Sequence, residues 1–284
     1  MSRAQGLGAR RCVVVVALSM ALALGCESKE DPFVIGSKKF TESVLLADVM
    51  TLSARHGGIP VRHQREVGGT QILWSALLRG EVDAYPEYTG TLYKEILADE
   101  TIANREELAA VLEKKGIRLG GNLGFNNTYA IGMRKDRAEE LGIRTISDLV
   151  GHPDLIFGFD NEFIQREDGW KGLKARYGLP QTDVRGMSHD LSYRGLESGA
   201  IDAMEMYTTD GEIEYYDLQT IEDDRQFFPD YKALVLWRID LEERSPELVA
   251  ALRRLEGRID EKRMIAMNSR AKLQRTPEAR VAAQ

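Results

Sequence analysis

Leu77-Leu78-Arg79-Gly80-Glu81-Val82-Asp83-Ala84-Tyr85-Pro86-Glu87-Tyr88-Thr89-Gly90 is written a second time in this chain, as Leu196-Glu197-Ser198-Gly199-Ala200-Ile201-Asp202-Ala203-Met204-Glu205-Met206-Tyr207-Thr208-Thr209. At an offset of 119, the Leu, Gly, Asp, Ala, Tyr and Thr coincide, and Val82 and Ile201 match in kind. Each copy reads as a helix stopped by Gly, then a short strand, with Tyr-Thr where the strand runs out. Gly-x-Asp-Ala is a common exit from a helix, so coincidence is the competing reading; six identities in fourteen positions weigh against it. In open α/β sheets, ligands sit outside the carboxyl ends of the strands. The repeat therefore predicts two similar lobes, presenting Tyr88 and Tyr207 to a shared cleft.

The rest of the chain fits around these units. Phe33 to Gly36 reads as a buried strand, and Thr41 as the cap of a helix with Val44, Leu45, Val49 and Leu52 on one face. Val61 to Val67 is a second strand, and Leu73, Leu77 and Leu78 are the expected core face of the first repeat's helix. Leu123 to Met133 reads as a crossing into the second lobe, and Phe227 to Tyr231 as the return. Ser245-Pro246-Glu247 is a helix start, with the proline at the first position. The last thirty or so residues read as helix that then frays. The expected division is 33–128 plus 226–284 for one lobe and 129–225 for the other. Two crossings without a flexible linker imply a hinged cleft.

The N-terminus is expected to lie outside the fold. Arg3, Arg10 and Arg11 precede the apolar run Val13 to Leu24, which at twelve residues is too short to span a bilayer and fits a signal-peptide core over 1–25. A small residue before Cys26, with the polar tether 26–32 behind it, resembles a lipoprotein processing site, although Ala23 and Leu24 depart from the usual order; an ordinary secretory signal is the alternative. The expectation is export to the periplasmic or cell-surface side with lipid on Cys26. Of the two cysteines, Cys12 lies in the leader, so no internal disulfide is expected. Hydrophobic residues are 43% and charged residues 29%, ordinary for a globular protein. The formal charge of −7 becomes more negative once the arginine-bearing leader is removed, which argues against nucleic acid as a partner.

Enzyme signatures do not emerge. There is no nucleophile elbow, phosphate loop or dinucleotide fingerprint. His56, His63, His152 and His189 lack ligand spacing and are expected in solvent or at helix ends. Glu222-Asp223-Asp224 reads as a solvated turn. No cofactor and no metal are expected.

Five segments carry a family resemblance: Gly36-Ser37-Lys38-Lys39-Phe40-Thr41-Glu42; Gly68-Gly69-Thr70 with Asp83 to Thr91; Gly124 to Ala130; Glu162 to Gly169; and Tyr207 to Gly211. With these, the chain resembles osmoprotectant ABC-transporter substrate-binding proteins of the glycine betaine/choline/carnitine type. The resemblance implies a two-lobed α/β periplasmic-binding-protein fold, type II-like, with the ligand cleft between the lobes. It implies a monomer that hands a quaternary ammonium solute to a membrane ABC permease, with no catalytic role. Carried over motif by motif, the tyrosine box falls on Tyr88, Tyr129, Tyr207 and Tyr231. Carboxylate donors fall on Lys38, Thr91 and Arg166, and Asn127 matches a position whose backbone carbonyl faces the ammonium. Lys39, Ser43 and Lys232 depart from the usual Asn, Gln and Asn, and an added cation pointing inward would oppose a cationic ligand. The same scaffold binding another small solute, such as an amino acid, or serving as a sensor domain are the alternatives.

Overall fold

Both copies of the repeat fold as the sequence predicts, and their internal bonds coincide. In the computed structural model, which describes residues 31–284, the helix Thr70–Arg79 ends on Gly80 at φ 76° and the helix His189–Ser198 ends on Gly199 at φ 72°. Only glycine enters that left-handed region without a steric cost, so both helices stop at the same place. The two aspartates then make equivalent clamps. Asp83 Oδ2 accepts from Val34 N–H at 2.7 Å and Asp202 Oδ2 from Ile156 N–H at 2.9 Å. Each aspartate's own N–H donates back to the same residue's carbonyl. The expected leader and Cys26 lie outside the described residues.

Among the described residues, ten strands form two sheets of matching layout. The first contains β1 (Phe33–Lys38), β2 (Val61–Gly68), β3 (Ala84–Tyr88) and β4 (Ile117–Asn126). The second contains β5 (Tyr129–Arg134), β6 (Phe157–Phe159), β7 (Val184–Gly186), β8 (Ala203–Tyr207) and β9 (Leu218–Ile221). The last strand, β10 (Lys232–Arg238), returns to the first sheet. The orders are β2-β1-β3-β10-β4 and β7-β6-β8-β5-β9. In each sheet the first three strands are parallel and the fourth is antiparallel to both neighbours. That fourth strand, β10 or β5, is the one that has just crossed from the other sheet.

This topology puts the tyrosines in place. β3 and β8 end at Tyr88 and Tyr207, and the antiparallel partner of each begins at the same edge: Ala233 pairs with Tyr88, and Tyr129 with Tyr207. Tyr231 immediately precedes β10. The two crossings therefore leave side by side, and they bond to each other: Asn127 N–H donates to the Tyr231 carbonyl at 3.0 Å, and the Thr128 hydroxyl to the Pro229 carbonyl at 2.9 Å.

Apolar layers cover both faces of both sheets. Leu45, Met50, Leu248 and Met264 pack on one face of the first sheet, and Leu73, Leu77, Leu108 and Leu112 on the other. Phe157, Phe159, Phe163 and Trp170 fill one side of the second sheet, and Tyr193, Leu196 and Met206 the other.

Several local expectations are corrected. Phe40, not Thr41, is the N-cap of helix Thr41–His56, and it makes no side-chain capping bond. Leu78 is 41% exposed, on the outer face of its helix rather than in the core. Leu123 to Met133 does cross to the second sheet as expected, but as the end of β4 and the start of β5 with only Asn127 and Thr128 between them. The C-terminus does not fray: helix Glu278–Ala282 packs on helix Thr41–His56 and buries Val281 to 2% exposure. The expected start at Ser245 is met, its hydroxyl accepting from Leu248 N–H.

Candidate functional site

The eight residues expected from the sequence, Lys38, Tyr88, Thr91, Asn127, Tyr129, Arg166, Tyr207 and Tyr231, all line one cavity of about 490 Å³. Its walls come from the strand ends of both sheets. The rings form a continuous aromatic lining. Tyr129 meets Tyr207 at 5.4 Å between centroids and Tyr231 edge-on at 5.2 Å, while Phe40 bridges Tyr88 at 6.2 Å and Tyr207 at 5.6 Å. Phe40 joins helix Thr41–His56 to this lining, a position the motif contained but the sequence reading left unused.

The cationic residues are already held by acids. Lys38 is buried and donates to Glu87 at 2.7 Å and Thr70 at 3.1 Å. Arg166 forks onto Asp168 through Nε at 2.7 Å and Nη2 at 2.5 Å, and its Nη1 pairs with Glu95. Tyr231 donates its hydroxyl to the same Asp168 at 2.6 Å. Among the described residues, Lys38 thus keeps one N–H uncommitted of its three, and Arg166 two of its five. Of the departing residues, Lys232 pairs outward with Asp230 at 3.2 Å, while Lys39 is exposed at the cavity rim.

Bonds that join elements of the first sheet to elements of the second include Glu95 with Arg166, Tyr231 with Asp168, Glu42 with Thr209, Asn268 with the Thr209 carbonyl, and Lys272 with Asp190 and Glu212. The cavity is thereby closed across by polar contacts on several sides.

Two histidines have roles the sequence reading did not give them, although His189 does stand at a helix end, as the first residue of helix His189–Ser198. His63 is held between Asp48 at 2.7 Å and the Ser37 hydroxyl at 2.9 Å. His189 lines the cavity, its ring tilted against that of Tyr207 at 4.5 Å between centroids. Its Nε2 faces Asp210 at 2.8 Å and its Nδ1 faces Glu205 at 3.2 Å. Two ring nitrogens each facing a carboxyl group is the arrangement that suits an imidazolium. Burial opposes that charge, but Asp210 and Glu205 outweigh it and push the His189 pKa up to about 10. Asp210 also accepts from Tyr193 OH and Tyr207 N–H, which fixes the strand end that carries Tyr207.

A histidine whose folded pKa is raised contributes stability that is complete below about pH 6.5 and is lost as pH rises towards 10. Thermal unfolding of wild type and His189→Gln is accordingly expected to differ most near pH 6, with the gap narrowing as pH approaches 10. A gap independent of pH would contradict a charged His189.

Comparison with known proteins follows the same lines. A family described as the substrate binding domain of ABC-type glycine betaine transport systems matches residues 31–284. The ergothioneine transport permease/ergothioneine binding protein EgtU of Helicobacter pylori (strain G27) is 33% identical over 250 residues, 84% of this chain but 44% of that protein. The carnitine transport binding protein OpuCC of Listeria monocytogenes is 31% identical, with 86% of this chain and 82% of that one aligned. Among solved structures, one described as a glycine betaine/carnitine/choline ABC transporter superposes with a TM-score of 0.71 at 30% identity, covering 88% of this chain and 96% of its own.

Proposed function

The chain belongs to the family of substrate binding domains of ABC-type glycine betaine transport systems, and from that premise we propose that it captures a trimethylammonium solute of the glycine betaine, choline or carnitine kind and delivers it to a membrane permease. The observation that carries this reading is the convergence of Tyr88 and Tyr231 from the first sheet with Tyr129 and Tyr207 from the second on one cavity. A quaternary ammonium has no N–H, so hydrogen bonds cannot hold it. Its charge is spread over methyl groups that pack against ring faces, each worth about 0.5–1 kcal/mol exposed and about 2 kcal/mol when dry. The ligand's carboxylate, where it has one, takes the uncommitted N–H groups of Lys38 and Arg166 with the hydroxyl of Thr91. Asn127 offers its carbonyl to the ammonium. The lobes 33–128 plus 226–284 and 129–225 close over the solute, and the cross-sheet bonds are the contacts of closure. The protein works outside the cytoplasm as a monomer, anchored by lipid on Cys26.

A second reading within the same chemistry is favoured by the cavity's size. At about 490 Å³ it falls in the range of roughly 300–1,000 Å³ that holds drug-sized ligands, and glycine betaine would occupy a small part of it. A bulkier betaine, such as the ergothioneine named for the Helicobacter relative, carries the same trimethylammonium and carboxylate.

Titration calorimetry with glycine betaine, choline, carnitine, ergothioneine and an ordinary amino acid tests both. Binding of any of the first four supports the proposal, and the ranking separates the two readings. Binding of the amino acid with silence towards the four overturns it.

A further inference from the structure

Glu42 stands in the first turn of helix Thr41–His56, lines the cavity, and is 3% exposed. Its Oε1 accepts from Tyr88 OH at 2.7 Å and Asn127 Nδ2 at 2.9 Å. Its Oε2 accepts from Thr209 OH at 2.5 Å and Asn268 Nδ2 at 2.8 Å. Every one of these donors is neutral. The other buried acids around the cavity are matched: Glu87 by Lys38, Asp168 by Arg166, Asp210 by His189 and Glu212 by Lys272. Among the described residues, no basic side chain lies within ion-pair distance of Glu42.

Burial pushes the Glu42 pKa up, while the hydrogen bonds from Thr209, Tyr88 and Asn268 oppose that rise and favour the ionised form. An amide NH₂ cannot accept, and one meets each carboxylate oxygen. Asn268 Nδ2 bridges Glu42 Oε2 and the Thr209 carbonyl at 3.0 Å, which sets the orientation of that amide. Four donors saturating both oxygens are what an ionised carboxylate requires. The result is a negative charge, buried at the wall of a cavity, with its lone pairs taken and its charge uncompensated. Burying a charge without a counter-ion is costly.

We propose that Glu42 is the resident counter-ion of the cavity, and that the ligand's permanently charged, methylated ammonium is the cation that completes the pair. The inference rests on the binding reading above. It adds a selection rule that the rings alone do not supply. A primary ammonium seeks acceptors, and Glu42 has none free. A methylated ammonium needs only the field, which Glu42 supplies without offering a hydrogen bond. The site therefore favours cations that cannot donate, and rejects a neutral molecule of the same shape.

The test pairs choline with 3,3-dimethylbutan-1-ol, in which carbon replaces the charged nitrogen. Calorimetry or competition gives the affinity ratio for wild type, Glu42→Gln and Glu42→Met. Both substitutions remove the charge but leave different shapes, so a packing defect would not affect them alike. The expected result is that wild type prefers choline strongly and that this preference falls at least fivefold in both variants, with the alcohol's affinity changing little. Ratios equal to wild type in whichever variant folds would overturn the counter-ion role and leave the binding reading standing. Failure of wild type to bind any trimethylammonium solute would overturn both.

Discussion

Tyr207→Ala is expected to weaken binding of choline and of glycine betaine about thirtyfold, while Tyr207→Phe stays within about threefold of wild type. The first figure is the loss of one dried cation–ring contact of about 2 kcal/mol, with about 1.4 kcal/mol per decade of affinity. The ring lies at the centre of the aromatic lining, touching Phe40, Tyr129 and His189. Its opposite neighbours come from different sheets, so its removal also opens a water path between them. The side chain is only partly buried, and the backbone N–H of Tyr207 stays bonded to Asp210 whatever the side chain, so the unliganded protein is expected to keep its thermal midpoint within a few degrees. The pair of substitutions separates ring from hydroxyl: a Phe variant as weak as the Ala variant would mean that the phenol oxygen, rather than the ring face, holds the ligand. Equal affinities for all three proteins would remove Tyr207 from the site.

How much of this was legible in the sequence depends on the range of each interaction. The repeat was legible because its determinants are local. A glycine at positive φ, an aspartate that clamps a neighbouring strand and a tyrosine at a strand end all lie within fourteen residues. The eight cavity residues were legible because Tyr88 and Tyr207 end the strands of the repeat and the other six lie in motifs carried by the resemblance. His189 was not, because what gives it a role is Asp210 and Glu205, which approach only once the second sheet has formed. Glu42 was missed for a similar reason: its donors come from β3, the first crossing, the end of β8 and helix Glu261–Lys272, up to 226 residues away in the chain. The Leu123–Met133 segment was legible as a crossing, but not how short it is: the link needs only two residues when the strands on either side run to its edge. The C-terminus was misread as frayed because a short terminal helix carries no sign of the surface on which it packs.

Arg166→Ala is expected to have the largest effect on stability, and its consequences for binding follow from the same geometry. The guanidinium is the only base paired with both Glu95 and Asp168 among the described residues, and Asp168 also holds Tyr231. Removing it leaves two acids near the cavity without a counter-charge. Breaking a buried pair in this way costs about 3–5 kcal/mol; Glu95 is partly exposed, which places the expected loss towards the lower end. Arg166→Lys restores the charge but not the fork, so it is expected to recover part of the stability. The ligand effect separates from the stability effect by comparing two solutes on the same protein. Glycine betaine carries a carboxylate that can use the uncommitted N–H groups of Arg166, and choline does not. A role in holding the carboxylate predicts that the ratio of glycine betaine to choline affinity falls about tenfold in Arg166→Ala, the magnitude of one charge-assisted hydrogen bond. A purely structural role predicts that both affinities fall together, since disordering of Asp168 and Tyr231 would loosen the aromatic lining for either solute. Denaturant unfolding and paired calorimetry on the Ala and Lys variants therefore distinguish an arginine that only staples Glu95 to Asp168 from one that also reads the ligand's anionic end.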